Sequence, residues 1–296
     1  MRKLFLFTIV GIILLPGCKD QKSEKEKNAL TVAVSILPQQ FIVDRISGGT
    51  VESFVMIPPG ASPATYEPSS SQMRNLSHSD VYFRIGHIAF EHAWMSRFRS
   101  NNTEMLVVDL SKDLELLETA KHTHVHENTE KGEHHAVDPH TWTSPANMKM
   151  MANEVFKTFS TLLPENEEAY QANLDHLNAA IDSVDNYLKQ VLEPLPQREF
   201  YIFHPALGYF AQEYGLEQIP IEVEGKEPSA AYMKDLVDDS KEKEIGIILV
   251  QKQFPMDKAK VIAEEIDAEL IQIDPLAYNW IEGMKGLGAL LAMHLK

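Results

Sequence analysis

Short apolar, β-branched runs alternate along this chain with longer stretches whose apolar residues recur every three or four positions. Residues 30–36 (LTVAVSI) read as a buried strand, 38–47 as a helix and 51–57 as the next strand. The prolines and glycine of 58–63 forbid regular pairing and predict a loop. A short helix over 69–77, with serines available as N-caps, leads to a strand at 81–85, a helix at 89–99 and a strand at 105–109. Strand and helix taking turns at this spacing predict βαβ units and a mainly parallel sheet.

Beyond residue 144 the helical period dominates. Met148, Met151, Val155, Phe159 and Leu162 share one face of a helix over 145–163, where methionine fills core space. Residues 164–192 form the longest uninterrupted helical pattern, with Tyr170, Leu174, Leu177, Ile181, Val184 and Leu188 at helical spacing and no internal proline or glycine. Such a helix reaches about 40 Å, comparable to a small domain's diameter. Pro194 and Pro196 end it. Alternation then resumes, with strands at 200–203, 218–223, 245–250 and 270–273 and helices at 207–214, 229–241, 257–266 and 281–294. A long helix between two βα regions predicts a stiff spine joining two lobes.

One stretch has neither period. Residues 121–137 hold His122, His124, His126, His134 and His135 among acids and a glycine, the pattern of a solvated loop that can gather metal. The next residues, Asp138-Pro139-His140-Thr141-Trp142, are stiffer. Proline fixes its own φ and disfavours a helical conformation at Asp138, so a constrained backbone presents His140. His204 (Phe-His-Pro-Ala) and Asp274 (Ile-Asp-Pro-Leu) follow predicted strands directly, at the edge where open α/β sheets bind ligands. Two imidazoles and a carboxylate make a sensible zinc set. Singly, a histidine after a strand is commonly a hydrogen-bonded structural residue, and aspartate before proline commonly forms a turn. Their joint placement beside a histidine-rich loop is what points to metal. His87 and Glu91 are secondary candidates, and His78, His92, His176 and His294 are assigned structural or solvent roles.

Composition narrows the picture. The chain of 296 residues is 44% hydrophobic and 24% charged, which predicts ordinary globular cores. Its net charge of −16 argues against a nucleic-acid partner and suits attraction of cations. Arg2 and Lys3 precede an apolar run, Leu4 to Leu15, too short and wrongly flanked for a membrane span. Leu15-Pro16-Gly17-Cys18 resembles a bacterial lipobox, so 1–17 are expected to be a signal peptide and Cys18 to carry lipid. The polar stretch after Cys18, to residue 29, reads as a lipidated tether. A first lobe is expected over 30–163, the linking helix over 164–195 and a second lobe over 196–296. The single cysteine excludes an internal disulfide and any cysteine-rich zinc site.

Several motifs in order carry a family resemblance. They are Pro59-Gly60-Ala61-Ser62-Pro63 with Tyr66-Glu67-Pro68, the acidic histidine-rich loop, Asp138 to Trp142, and Phe203-His204-Pro205-Ala206 with Gly208-Tyr209-Phe210. Glu224 to Ser229 and Ile273-Asp274-Pro275-Leu276 complete the set. The chain thereby resembles the zinc- and manganese-type solute-binding proteins of bacterial ABC importers, in particular the high-affinity zinc-uptake binding lipoproteins.

The resemblance implies an α/β protein of two parallel-sheet (βα)4-type lobes, joined by a long rigid helix, with metal in the interlobe cleft. By motif, His140, His204 and Asp274 are its metal ligands, and the histidine-rich loop is an auxiliary metal loop. It further implies a monomeric, non-enzymatic lipoprotein on the extracytoplasmic face of the cell envelope. That lipoprotein would capture Zn²⁺ and deliver it to an ABC permease and its ATPase.

One departure stands out. Zinc-binding relatives usually carry histidine after Ser-Pro in the first loop, where this chain has Ala64. Water, Glu67, His87, Glu91 or a loop histidine is left to fill the fourth position. The alternatives are Mn²⁺ or Fe²⁺ as cargo, an adhesin or scavenging lipoprotein without a permease, and a zinc hydrolase. The last has three ligands plus water in its favour, but there is no His-Glu-x-x-His helix and no identifiable general base.

Overall fold

The computed structural model describes residues 29–118, 137–222, 229–243 and 245–295. The expected signal peptide, Cys18 and the tether lie outside them. The first half comprises β1 (Leu30–Val34), α1 (Leu37–Ser47), β2 (Val51–Val55), α2 (Ser70–Leu76), β3 (Val81–Arg84), α3 (Ala89–Asn101) and β4 (Leu106–Asp109). Then come α4 (Pro145–Leu162) and α5 (Glu167–Leu192). The second half comprises β5 (Glu199–Ile202), α6 (Gly208–Glu213), β6 (Glu217–Pro220), α7 (Ala230–Lys243), β7 (Ile247–Gln251), α8 (Met256–Ile266), β8 (Glu269–Ile273) and α9 (Trp280–His294).

The strands form two four-stranded sheets, ordered β2-β1-β3-β4 and β6-β5-β7-β8, with every pair parallel. The second lobe thus repeats the topology of the first, as the expected two-lobed α/β fold requires. In both sheets the order reverses beside the first strand of the lobe, and the carboxyl ends of the strands there are the natural place for a ligand. Pro220 closes β6, an edge strand, where a missing N–H leaves no gap in the ladder.

Local side-chain chemistry trims the predicted strands. β1 stops at Val34 because Gln39 Oε1 takes the N–H groups of Ser35 (3.0 Å) and Ile36 (3.1 Å) and turns the chain into α1. Beyond β2, Met56 N and Ile57 N still donate to Val34 O and Ser35 O before the prolines end pairing. The predicted helix from Pro164 is likewise shortened. Pro164–Asn166 forms a 3-10 turn, and α5 begins at Glu167.

At 26 residues, α5 is roughly 39 Å long. It packs against α1, α4 and α9. Its buried stripe (Tyr170, Leu174, Leu177, Ile181, Val184, Leu188 and Leu192) belongs to a core that runs from the first sheet into Phe200, Ile202, Ile247 and Leu249 of the second. Alternate residues of those strands (Tyr201, Ile248 and Val250) face a separate core under α7 and α8. The period-two register therefore buries both faces of the second sheet and ties its inner face to the spine. Gly288 lets α9 pack against α5, since a Cβ there would overlap Leu188 Cδ2.

Candidate metal centre

His140 is held by its own sequence neighbourhood. It precedes a 3-10 turn, Thr141–Thr143, and its carbonyl accepts from Thr143 Oγ1 (2.9 Å). Asp138 Oδ1 accepts from both His140 N (2.9 Å) and His140 Nδ1 (2.7 Å). The indole of Trp142 lies edge-on to the imidazole at 5.3 Å.

Although this segment connects β4 to α4, the second lobe grips it. Tyr209 Oη donates to Asp138 O (2.9 Å) while accepting from Leu117 N (3.0 Å). Trp142 Nε1 donates to Pro275 O, and Trp280 Nε1 donates to Trp142 O, both at 2.8 Å. The Asp138 carboxylate lies directly against Gly208, where any side chain would overlap Oδ2.

His204 follows β5 and is held by three residues. Its N–H donates to Gln251 Oε1 (3.3 Å), and Gln251 Nε2 donates back to its carbonyl. The Phe254 ring stacks on its imidazole at 5.1 Å. Glu222 Oε1, just beyond β6, is hydrogen-bonded to His204 Nδ1. Asp138 and Glu222 are both buried, at 6% and 7% exposure.

The two imidazoles meet across the lobes with Nε2 atoms 3.3 Å apart and ring centroids 5.1 Å apart. With Nδ1 of each ring turned to a carboxylate, the two Nε2 atoms are left facing each other, an arrangement that a cation between them satisfies. Two nitrogen ligands about 2.0–2.1 Å from a tetrahedral zinc lie roughly 3.3–3.4 Å apart, so the spacing suits a divalent ion.

Asp274 stands apart from this pair. Its Oδ1 accepts from Gln253 Nε2 and Leu276 N, both at 3.2 Å, and its Oδ2 lies 3.5 Å from Lys252 Nζ. It lines a narrow crevice with Ile57, Pro58, Pro59 and Gly60 of the first lobe. Among the described residues, no three histidine, cysteine, aspartate or glutamate side chains come together as a metal-holding group. His122, His124, His126, His134 and His135 lie outside the described residues. So do Glu224 to Pro228.

The fourth-ligand candidates differ sharply. Ala64 and Glu67 are exposed. Glu91 is fully buried and accepts from Ile85 N (2.7 Å), Gly86 N (2.9 Å) and Ser35 Oγ, so it pins the β3–α3 loop and is not free to swing toward a metal. Burial pushes its carboxyl up to about 7, against the pull of those donors and of Arg84. Burial also lowers the His87 imidazole from its ordinary value. Sequence reasoning passed over Glu222 and gave Asp138 only a backbone role. The Asp-x-His spacing carried a signal for Asp138, but nothing local ties Glu222 to a histidine in another loop.

Two parallel α/β lobes on one long helix, with imidazoles from each meeting between them, define a bilobal solute-binding protein of the metal-transport class. The comparisons agree. A crystal structure of ZnuA is 36% identical, covers 90% of this chain and 100% of its own, and superposes with a TM-score of 0.83. A zinc-bound ZnuA deletion mutant matches equally well, at 36% identity and a TM-score of 0.83, over 90% of this chain and 98% of its own.

Residues 32–287 match the family described as the periplasmic component A of the zinc-uptake complex, and the chain belongs to that family. The family comprises binding components of an uptake system, which removes the hydrolase alternative. The high-affinity zinc uptake system protein ZnuA of Bacillus subtilis is 27% identical over 303 residues, 96% of this chain and 92% of that protein. The zinc-binding lipoprotein AdcA of Streptococcus pneumoniae is 23% identical over 93% of this chain, which spans only 56% of AdcA's length. Among the described residues, no helix is long and apolar enough to cross a membrane.

Proposed function

We propose that this protein captures Zn²⁺ between His140 and His204 and delivers it to an ABC-type importer. The observation that carries the reading is the pair of Nε2 atoms at 3.3 Å, each on a ring whose Nδ1 is committed to a carboxylate. Asp274 is the third protein ligand in this reading and reaches the metal by leaving Lys252 and Gln253. With Ala64 non-ligating, water completes the shell. Mn²⁺ is a weaker alternative cargo, because a nitrogen-rich centre favours zinc.

The expected lipid on Cys18 holds the protein at the extracytoplasmic face of the membrane, where it works as a monomer with a permease and its ATPase. Membership of a periplasmic zinc-uptake family supports that setting, as does likeness to the lipoprotein AdcA. The histidine-rich loop serves as an auxiliary collector. Calorimetric titration of the purified chain tests the reading. One Zn²⁺ is expected to bind at neutral pH, with strong loss in His140→Ala and His204→Ala and little loss on deleting residues 122–135. Absence of saturable Zn²⁺ uptake overturns the function, and loss of the stoichiometric site on loop deletion overturns the assignment of ligands.

A further inference from the structure

We infer that Asp138 and Glu222 are positioning residues of this centre, which orient both imidazoles toward the ion they accept. The inference rests on the zinc reading above. The arrangement is symmetric across the lobes. Asp138 Oδ1 takes Nδ1 of His140 at 2.7 Å, and Glu222 Oε1 takes Nδ1 of His204. Both carboxylates are buried, and each meets the ring nitrogen remote from the other imidazole.

Held through Nδ1, each imidazole turns its Nε2 toward the other across 3.3 Å, where one ion can take both. A carboxylate on the far ring nitrogen fixes the ring's orientation and raises the basicity of the nitrogen that binds.

The positions of the two carboxylates come from elements that touch no metal. Asp138 is placed by the Tyr209 hydroxyl on its carbonyl and by the bare backbone of Gly208 against Oδ2. Glu222 is placed by β6, whose pairing with β5 continues one step further through Glu222 N to Phe203 O (3.0 Å).

The test uses the full chain and Zn²⁺ alone, titrated against a competing chelator, with ¹⁵N NMR of the histidine rings in the metal-free protein. Asp138→Ala and Glu222→Ala are expected to weaken Zn²⁺ binding about ten- to a hundredfold. Glu222→Gln and Asp138→Asn, which keep an acceptor but lose the charge, should fall between them and the unaltered protein. The rings of His140 and His204 should carry their proton on Nδ1 in the unaltered protein and in the amide variants. Glu222→Ala should free His204 to exchange tautomers. Retention of affinity within twofold in both alanine variants overturns the inference, as does an Nε2-protonated tautomer in the unaltered protein. If an alanine variant fails to fold, the paired amide variant decides by the same affinity criterion. Failure of the unaltered chain to bind Zn²⁺ defeats the zinc reading alone, and the tautomer measurement still decides the positioning role.

Discussion

Replacing Gly208 by alanine should damage the metal centre without touching a ligand. The first residue of α6 lies against Asp138, and an added Cβ falls inside the van der Waals envelope of Oδ2, with Gln218 Nε2 close on another side at 3.3 Å. To restore ordinary contact the carboxylate must retreat by about 1 Å. Its other oxygen holds His140 Nδ1 at 2.7 Å and His140 N at 2.9 Å, so the same retreat stretches both bonds beyond hydrogen-bonding range. Bonds to a charged acceptor contribute about 1.5–3 kcal/mol each. Relief of the glycine's helix-propensity penalty offsets about 1 kcal/mol at most.

The net expectation for Gly208→Ala is roughly 2–5 kcal/mol of lost stability in the metal-free protein. Zn²⁺ affinity should fall roughly tenfold or more. Urea unfolding of the metal-free protein reads the first quantity, and competitive zinc titration reads the second. Gly246→Ala, where an added Cβ meets nothing within 4 Å, is the matched control. Gly208→Ala with unaltered stability and zinc affinity within twofold would refute the claim that the second lobe positions His140 through Asp138.

Three further outcomes can be checked. The Glu91 carboxyl is raised by burial to about 7, so between the unfolded value of 4.5 and 7 the folded state keeps a proton that the unfolded chain has lost. Stability should therefore fall by roughly 3 kcal/mol as pH rises through that window and level off above it. Glu91→Gln should lack this component, and parallel unfolding profiles for the two proteins between pH 4.5 and 8 would contradict it. Trp142→Phe removes the donor to Pro275 O and leaves a void in a side chain only 1% exposed. It should cost about 2–4 kcal/mol by chemical denaturation and weaken zinc binding, since His140 rides on the same turn. In α9, Gly286→Ala meets no neighbour and should raise stability by about 0.5–1 kcal/mol. Gly288→Ala should lose that gain, because its Cβ overlaps Leu188 Cδ2 in the seam with α5.

Much of the architecture was legible from local pattern, because period two and period 3.6 each follow from backbone geometry. The βα alternation, the long central helix and the loops at Pro58–Pro63 and Asp138–Trp142 all read directly. Element ends were less legible. β1 ends where Gln39 captures two N–H groups, and α5 starts after a 3-10 turn, both decided by side-chain and backbone bonds that no periodicity encodes.

At the site, a rigid proline neighbour singles out His140, and a place just after an apolar run singles out His204 and Asp274. The meeting of the two histidines at 3.3 Å was not legible, since they lie 64 positions apart on different lobes. Only the packing of Trp142 on Pro275 and Trp280, of Asp138 on Gly208 and Tyr209, and of both lobes on α5 brings those rings together. The partner carboxylate Glu222 escaped sequence reasoning for the same reason. By itself, then, the sequence determined which elements form and which side chains could hold a metal. The tertiary structure decided which of those side chains meet, which carboxylate faces each ring's Nδ1 and which carboxylate, such as Glu91, is spent on holding a loop. Hydrogen bonds and contacts between distant segments set those outcomes, and a linear pattern does not carry them.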